Sequence, residues 1–249
     1  MRPLPLSLGL LTLLLSPGLV LAQTSYPLSL ENCGVTITLP APPTRVVTIK
    51  STATEMLLAL GLAERIVGVG FQDGPAPEPW TSAAADLPVL SDKLPSQEVV
   101  LEAEPELVYG GWESNFTADG AGERPTLAAL GVASYVSPAA CRSIKPGKLS
   151  FDAVFAEIAE IGAMFDADNS ADALIAEQKA ALAAIAADPR GLSALWYSSG
   201  TKTPYVGGGS GAPQMMLEAL GLENIMASVE EGWVSASWEA VVDADPDII

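Results

Sequence analysis

Short β-branched runs alternate with short helical stretches, each ended by a glycine, along most of the chain after Arg45, and this alternation restricts the fold more than any other feature. Val46-Val47-Thr48-Ile49 is the first run. Thr52 with Glu55 then forms a capping box, and Met56, Leu57 and Leu60 make an apolar helical face that Gly61 ends. Ile66-Val67-Gly68-Val69, Pro88-Val89-Leu90, Leu107-Val108-Tyr109 and Ser134-Tyr135-Val136 continue the pattern, the last preceded by a helix from Thr126 to Leu130 with its stop at Gly131. Strands separated by helical crossovers pair in parallel and cross over right-handedly, so the expected class is α/β with a parallel sheet.

Residues 151 to 188 read differently. Val154, Phe155, Ile158, Ile161 and Phe165 form one helical stripe and Leu174, Ile175, Leu182 and Ile185 another, before Pro189 stops them. A new strand begins at Leu192 to Tyr197, and Pro213 opens a helix ending at Gly221. The two α/β regions repeat one another. TEMLLALGLAERIVGV from Thr54 matches PQMMLEALGLENIMAS from Pro213, and SQEVVLEAEPELV from Ser96 matches SWEAVVDADPDII from Ser237, in the same order. Within the second pair Glu98 precedes Pro105, and Glu239 precedes Pro246, by the same seven residues. The expected layout is a leader over 1–22, a first lobe over 23–149, a helical connector over 150–189 and part of a second lobe over 190–249.

The leader is read from Arg2, the apolar stretch Leu4 to Leu21 broken at Pro17-Gly18, and a small-residue cleavage pattern ending at Ala22. The break leaves too short an apolar run to cross roughly 30 Å of hydrocarbon, so a cleaved secretory signal and a periplasmic destination are expected. Cleavage leaves 11 basic and 30 acidic residues, a formal charge of −19. Such a chain repels phosphate backbones, which excludes nucleic acid as a partner. Of the 249 residues none is histidine, so imidazole nucleophile pairs, His-ligated zinc and histidine proton shuttles are excluded too. Cys33 and Cys141 are consistent with one disulfide in an oxidising compartment, two buried free thiols being the alternative. If bonded, they close a long loop, worth about 4 to 5 kcal/mol in the chain-entropy account.

Parallel sheets bind ligands at the carboxyl ends of their strands, and that rule selects candidate residues. In the first lobe these are Lys50, Ser51 and Thr52, then Phe71, Gln72 and Asp73, then Asp92 and Lys93, then Gly111, Trp112 and Glu113; in the second they are Tyr197, Ser198, Gly208, Gly209 and the Trp233 to Trp238 stretch. Hydroxyls, two lysines and tryptophans suit a large, partly aromatic, partly anionic ligand held between two faces. Plainer readings stand beside these: Thr52 as a helix cap, Trp112 and Trp233 as core, the glycines as a turn, and the lysines as solvated charges. Gly207-Gly208-Gly209 lacks the lysine and spacing of a phosphate-cradling loop. Asn115-Phe116-Thr117 fits a glycosylation triplet, a frequent coincidence.

RVVTIKSTATEMLLALGL, EPELVYGG, a helical connector and GGGSGAPQMMLEALGLENI together resemble the periplasmic substrate-binding proteins of ABC importers for iron-siderophore complexes and cobalamin, over Tyr26 to Ile249. STATEMLLALGL, FQDGP, SDK and GGWESN most resemble the members that import a precursor of the deazaflavin coenzyme F-420. The resemblance implies two Rossmann-like lobes joined by a long rigid helix, and a monomer that captures a metal chelate, corrinoid or deazaflavin-like compound. It implies an importer permease and ATPase as partners, with Glu98 and Glu239 meeting permease arginines, and neither a resident cofactor nor catalysis. Family members continue past the apolar run in which Ile248-Ile249 lies, so an incomplete second lobe is expected. The alternatives are a secreted hydrolase using Asp92 and Glu113 as a carboxylate pair, and a binder of haem or of a bare metal ion with oxygen-only ligation.

Overall fold

The computed structural model describes residues 24–145 and 147–249, so the leader read at 1–22 lies outside the described residues. An antiparallel hairpin comes first, β1 (Leu28–Asn32) and β2 (Val35–Leu39), turning at Cys33-Gly34 with φ of 50° and 74° as a two-residue primed turn requires. There follow β3 (Val46–Ile49), α1 (Ser51–Ala59), β4 (Ile66–Gly70), α2 (Thr81–Ala85), β5 (Val89–Ser91), α3 (Gln97–Glu102), β6 (Leu107–Gly110), α4 (Arg124–Ala129) and β7 (Ala133–Val136). The last five strands form one parallel sheet in the order β5-β4-β3-β6-β7.

Both faces of this sheet are covered, which is why its strands read as unbroken apolar runs. Val46 and Leu107 point into a core shared with Leu57 of α1; their neighbours Val47 and Val108 point the other way, to Val100 of α3 and Leu127 of α4. The glycine stops act as left-handed helix ends. Gly61, Gly131 and Gly221 have φ of 75°, 82° and 73°, and in each case the next residue donates its N–H back to a carbonyl five residues earlier at 2.9 Å.

The connector is two helices, α5 (Phe151–Met164) and α6 (Asp168–Ala183), where the pattern suggested one long segment. Asp166, at φ 54°, reverses the chain, and a Cβ on Gly162 would lie 2.5 Å from the Ala171 methyl, so the two backbones meet closely. Ile158, Ile161 and Met164 of α5 belong to the first lobe's core. Beyond it lie β8 (Ser193–Ala194), β9 (Tyr197–Ser199), β10 (Tyr205–Gly207), α7 (Ala212–Ala219), β11 (Glu223–Asn224), β12 (Trp233–Ser235) and α8 (Trp238–Ala244). Here β8 and β11 are parallel, while β9, β10 and β12 form an antiparallel sheet in the order β12-β10-β9. Ser198 and Trp233, expected on loops, therefore lie on strands, and the run expected as one strand over Leu192 to Tyr197 is divided between β8 and the first residue of β9.

The repeat extends to atomic detail. Ser96 caps α3 by accepting the Val99 N–H at 3.4 Å, and Ser237 caps α8 by accepting the Ala240 N–H at 3.1 Å. Each helix runs out in a left-handed acid before proline, Glu104 at φ 47° and Asp245 at φ 43°. The acid after that proline then clamps the start of a strand. Glu106 accepts from the Thr44 hydroxyl at 3.0 Å, and Asp247 from the Ser193 N–H and hydroxyl at 2.8 and 2.9 Å. Ile248 bridges β8 in parallel, as β6 pairs with β3.

Two further ties secure the hairpin to the sheet. Cys33 and Cys141 form a disulfide with Cα atoms 5.3 Å apart. Arg124, only 6% exposed, donates to Asn32 O (2.8 Å), Asn32 Oδ1 (3.0 Å), Ser134 Oγ (3.0 Å) and Ser134 O (3.0 Å), while Asn32 Nδ2 donates to Val136 O at 2.7 Å.

Candidate functional site

The chain runs outward from β3 to β5 on one side of the sheet and from β6 to β7 on the other, so the order reverses between β3 and β6. A crevice at the carboxyl ends of the strands opens at such a reversal. Lys50 follows β3 and Gly111 follows β6, and they meet there: the Gly111 N–H donates to Ile49 O at 2.9 Å, and a Cβ on Gly111 would lie 2.4 Å from Thr52 Oγ1 and 2.9 Å from Lys50 Cβ. Only glycine allows β6 to approach this closely.

Lys50 is held firmly. It is 9% exposed, its φ is 78°, its Nζ stands 4.1 Å from the centre of the Phe71 ring, and it pairs with Asp73. Because Lys50 is itself the residue before the helix, α1 begins at Ser51 and the capping box expected from Thr52 to Glu55 does not form. Asp73 takes over that role from outside the helix, accepting the Ser51 N–H at 3.4 Å while its own N–H donates to Ser51 Oγ at 2.9 Å. Lys50, Ser51, Phe71 and Asp73 are thus brought together. Gln72 donates to Gly70 O at 3.0 Å, and Asp92 and Lys93 stand exposed after β5.

Trp112 is 38% exposed beside Gly111, and its N–H donates to Asn115 Oδ1 at 3.0 Å. Asn115 is buried, which explains the Asn-Phe-Thr triplet as structure and leaves no room there for a glycan. Glu113 points elsewhere. Its carboxylate accepts the Ser143 N–H at 2.8 Å and that of Arg142; partial burial pushes its pKa up, but the bonds from Ser143 and Arg142 outweigh this and hold it below the usual range.

In the second lobe the glycine run is fully engaged. The N–H groups of Gly207, Gly208, Gly209 and Ser210 donate to Trp196, Gly232, Val229 and Glu231 carbonyls at 2.9, 3.0, 2.7 and 3.2 Å. A Cβ on Gly208 or Gly209 would meet a carbonyl oxygen at 2.2 or 2.0 Å. These glycines pack against the 227–232 loop, and their amides are not available to a ligand. Trp233 stacks on Tyr205 with ring centres 5.9 Å apart, and Tyr197 packs on Trp238 at 5.8 Å, so the lobe presents two aromatic pairs.

Behind the crevice lies a cluster the sequence reading missed. Tyr109 donates to Glu157 at 3.2 Å and lies 3.2 Å from Ser137 Oγ; Tyr135 donates to Glu160 at 2.7 Å; the two rings meet edge to face at 5.2 Å. Two glutamates three apart in the middle of a mostly apolar helix were the available signal. Burial chiefly, with the Glu160 charge adding to it, raises the Glu157 pKa although Ser137 and Tyr109 oppose the shift. The folded chain therefore holds this proton more tightly than the unfolded chain, and its stability falls as pH rises from the ordinary carboxylate range through the raised value. Glu157→Gln, neutral throughout, is expected to gain stability relative to the parent between about pH 5 and about pH 8. Urea unfolding of both proteins at the two pH values checks this, and a difference that does not change with pH would contradict it.

The sequence profile described as "Periplasmic binding protein" matches residues 46–249. The chain belongs to the periplasmic binding protein family. Among solved structures, a periplasmic binding protein from Veillonella parvula is 26% identical with a TM-score of 0.79, covering 89% of this chain and 75% of that one. An ABC-type Fe3+-hydroxamate transport system structure from Saccharomonospora viridis is 28% identical with a TM-score of 0.77, covering 90% of this chain and 79% of that one. The periplasmic heme-binding protein RhuT from Roseiflexus sp. RS-1, at 25% identity and a TM-score of 0.62, covers 82% and 74%. No curated protein sequence matches. The fold shared with these structures here sets a parallel-sheet lobe first in the chain and a second lobe after the connector. Within it, Glu98 and Glu239 occupy corresponding places, each exposed in the first turn of its helix.

Proposed function

We propose that this chain is the extracytoplasmic solute-binding component of an ABC importer, that it acts as a monomer, and that its cargo is a metal chelate or cofactor-like compound such as a ferric hydroxamate, haem or a corrinoid. The observation that carries the reading is the reversal of strand order between β3 and β6, at whose carboxyl edge, where a ligand is expected, stand a locked Lys50-Phe71-Asp73 group and exposed Trp112. A flat, partly aromatic solute suits the exposed Trp112 and the Tyr205/Trp233 stack, and Lys93 supplies an exposed cation. The similarity to the Fe3+-hydroxamate and heme-binding structures supports the cargo class.

No covalent step is needed for this role. The hydrolase reading loses its base, because Glu113 is committed to the Arg142 and Ser143 amides. A bare metal ion finds no imidazole in the sequence, and no group of three His, Cys, Asp or Glu side chains placed to hold one occurs among the described residues.

Thermal unfolding of the purified chain against a ferric trihydroxamate, haem, cobalamin and a deazaflavin tests the proposal. A cognate compound at one hundred times its dissociation constant is expected to add about 2.7 kcal/mol of stability. No shift with any of the four would overturn the cargo class.

A further inference from the structure

A cavity of about 400 Å³ opens at the carboxyl edge of the first sheet, between α1, the 72–76 loop and α2. This is within the roughly 300–1,000 Å³ range of small-molecule pockets. Its apolar wall is built by Val69, Ala84, Leu87 and Val89, and the charged side chains that line it, Glu55 and Asp92, are both acidic. Neither enters an ion pair or a side-chain hydrogen bond among the described residues. No cation lines the cavity: Lys50 pairs with Asp73, Asp73 also receives the first amide of α1, and Lys93, next to Asp92, stands exposed outside the lining. Burial first, and then the Asp73 charge, raise the Glu55 carboxyl, as expected for an acid without a counter-charge.

We propose that this cavity is a subsite for a cationic alkyl arm of the transported solute, an alkylammonium or guanidinium-bearing chain, with Glu55 and Asp92 meeting the charge and Val69, Ala84, Leu87 and Val89 the methylenes. The inference rests on the solute-binding reading above and narrows its cargo to chelates carrying a positive arm. A carboxylate arm would be repelled by two acids that have no other partner.

Hexylammonium, hexanol and hexanoate are the probes, titrated calorimetrically into the purified chain at low ionic strength. Hexylammonium is expected to bind about tenfold more tightly than hexanol, about 1.4 kcal/mol, with no binding of hexanoate. E55Q combined with D92N is expected to remove the preference. Equal affinity for the ammonium and the alcohol, or no binding of either, overturns the subsite without recourse to any variant. A ferric trihydroxamate with a free terminal ammonium, compared with its N-acetylated form, separates this claim from the reading it rests on. Equal binding of both forms, unaltered by E55Q with D92N, sinks the subsite and leaves the solute-binding reading in place. Hexylammonium binding with neither chelate bound keeps the subsite and removes the ferric hydroxamate as cargo.

Discussion

Replacing Glu98 and Glu239 together by alanine is expected to reduce solute import to background while leaving solute affinity unchanged. The two acids stand in equivalent surroundings, second in their helices, exposed, behind serine caps at 3.4 and 3.1 Å, so in the proposed docking role one chemistry would serve both lobes. In that role each carboxylate would meet a permease arginine as a bidentate pair. Truncating one partner of such a pair costs about 2–5 kcal/mol once the interface is closed, so losing both weakens docking by about a thousandfold or more. Uptake by cells carrying the importer, read beside calorimetric binding of the same solute, makes the measurement. Glu102→Ala, another exposed acid of α3, is the control and should import normally. Undiminished uptake by the double variant would remove the docking assignment, and lost solute affinity would move the residues into the binding site.

The second large effect is on folding. Arg124→Met keeps much of the side chain's length but removes four donated bonds, leaving the Asn32 and Ser134 carbonyls without their guanidinium partner in a buried place. The expected loss is about 3–5 kcal/mol, the scale for breaking a buried charged network from one side. Lysine would not restore it, since a single ammonium cannot reach two residues with the planar fork these distances require. Arg45→Met is the comparison, because Arg45 donates to the Glu104 and Ala103 carbonyls at 2.8 and 2.6 Å from an exposed position and should cost about 1 kcal/mol or less. Urea unfolding decides, and similar losses for the two variants would show that the network contributes no more than a surface contact.

Features written in local chemistry were legible. The strand runs and the glycine stops at Gly61, Gly131 and Gly221 follow from residues within one turn of each other, and the matching helix positions of Glu98 and Glu239 follow from the repeat. Features set by distant partners were not. Thr52 looked like a cap because Asp73, 22 residues beyond Ser51, does not show as the group that meets the helix start. The hairpin of β1 and β2 depends on Arg124, 92 residues from Asn32, and passed unnoticed. The strand state of Ser199 and Trp233 likewise comes from pairing with β10 and not from their own neighbours. In the candidate site, Lys50 was selected from the end of β3 and Phe71 with Asp73 from the end of β4; the contact between the two loops came only with the fold. Gly208 and Gly209 were selected as ligand groups because a glycine run looks alike whether its amides face a solute or, as here, the 227–232 loop.

The connector is fastened at both of its ends. α5 is part of the first lobe's core, and the second lobe is joined to it by backbone hydrogen bonds at two separate places: the Leu149 N–H to Ser210 O at 2.8 Å, and the Asp188 N–H to Leu220 O at 2.8 Å. Both fastenings are made by main-chain groups. Side-chain substitution along α5 or α6 therefore leaves them in place, and only a change of backbone, such as proline at 149 or 188, removes either one.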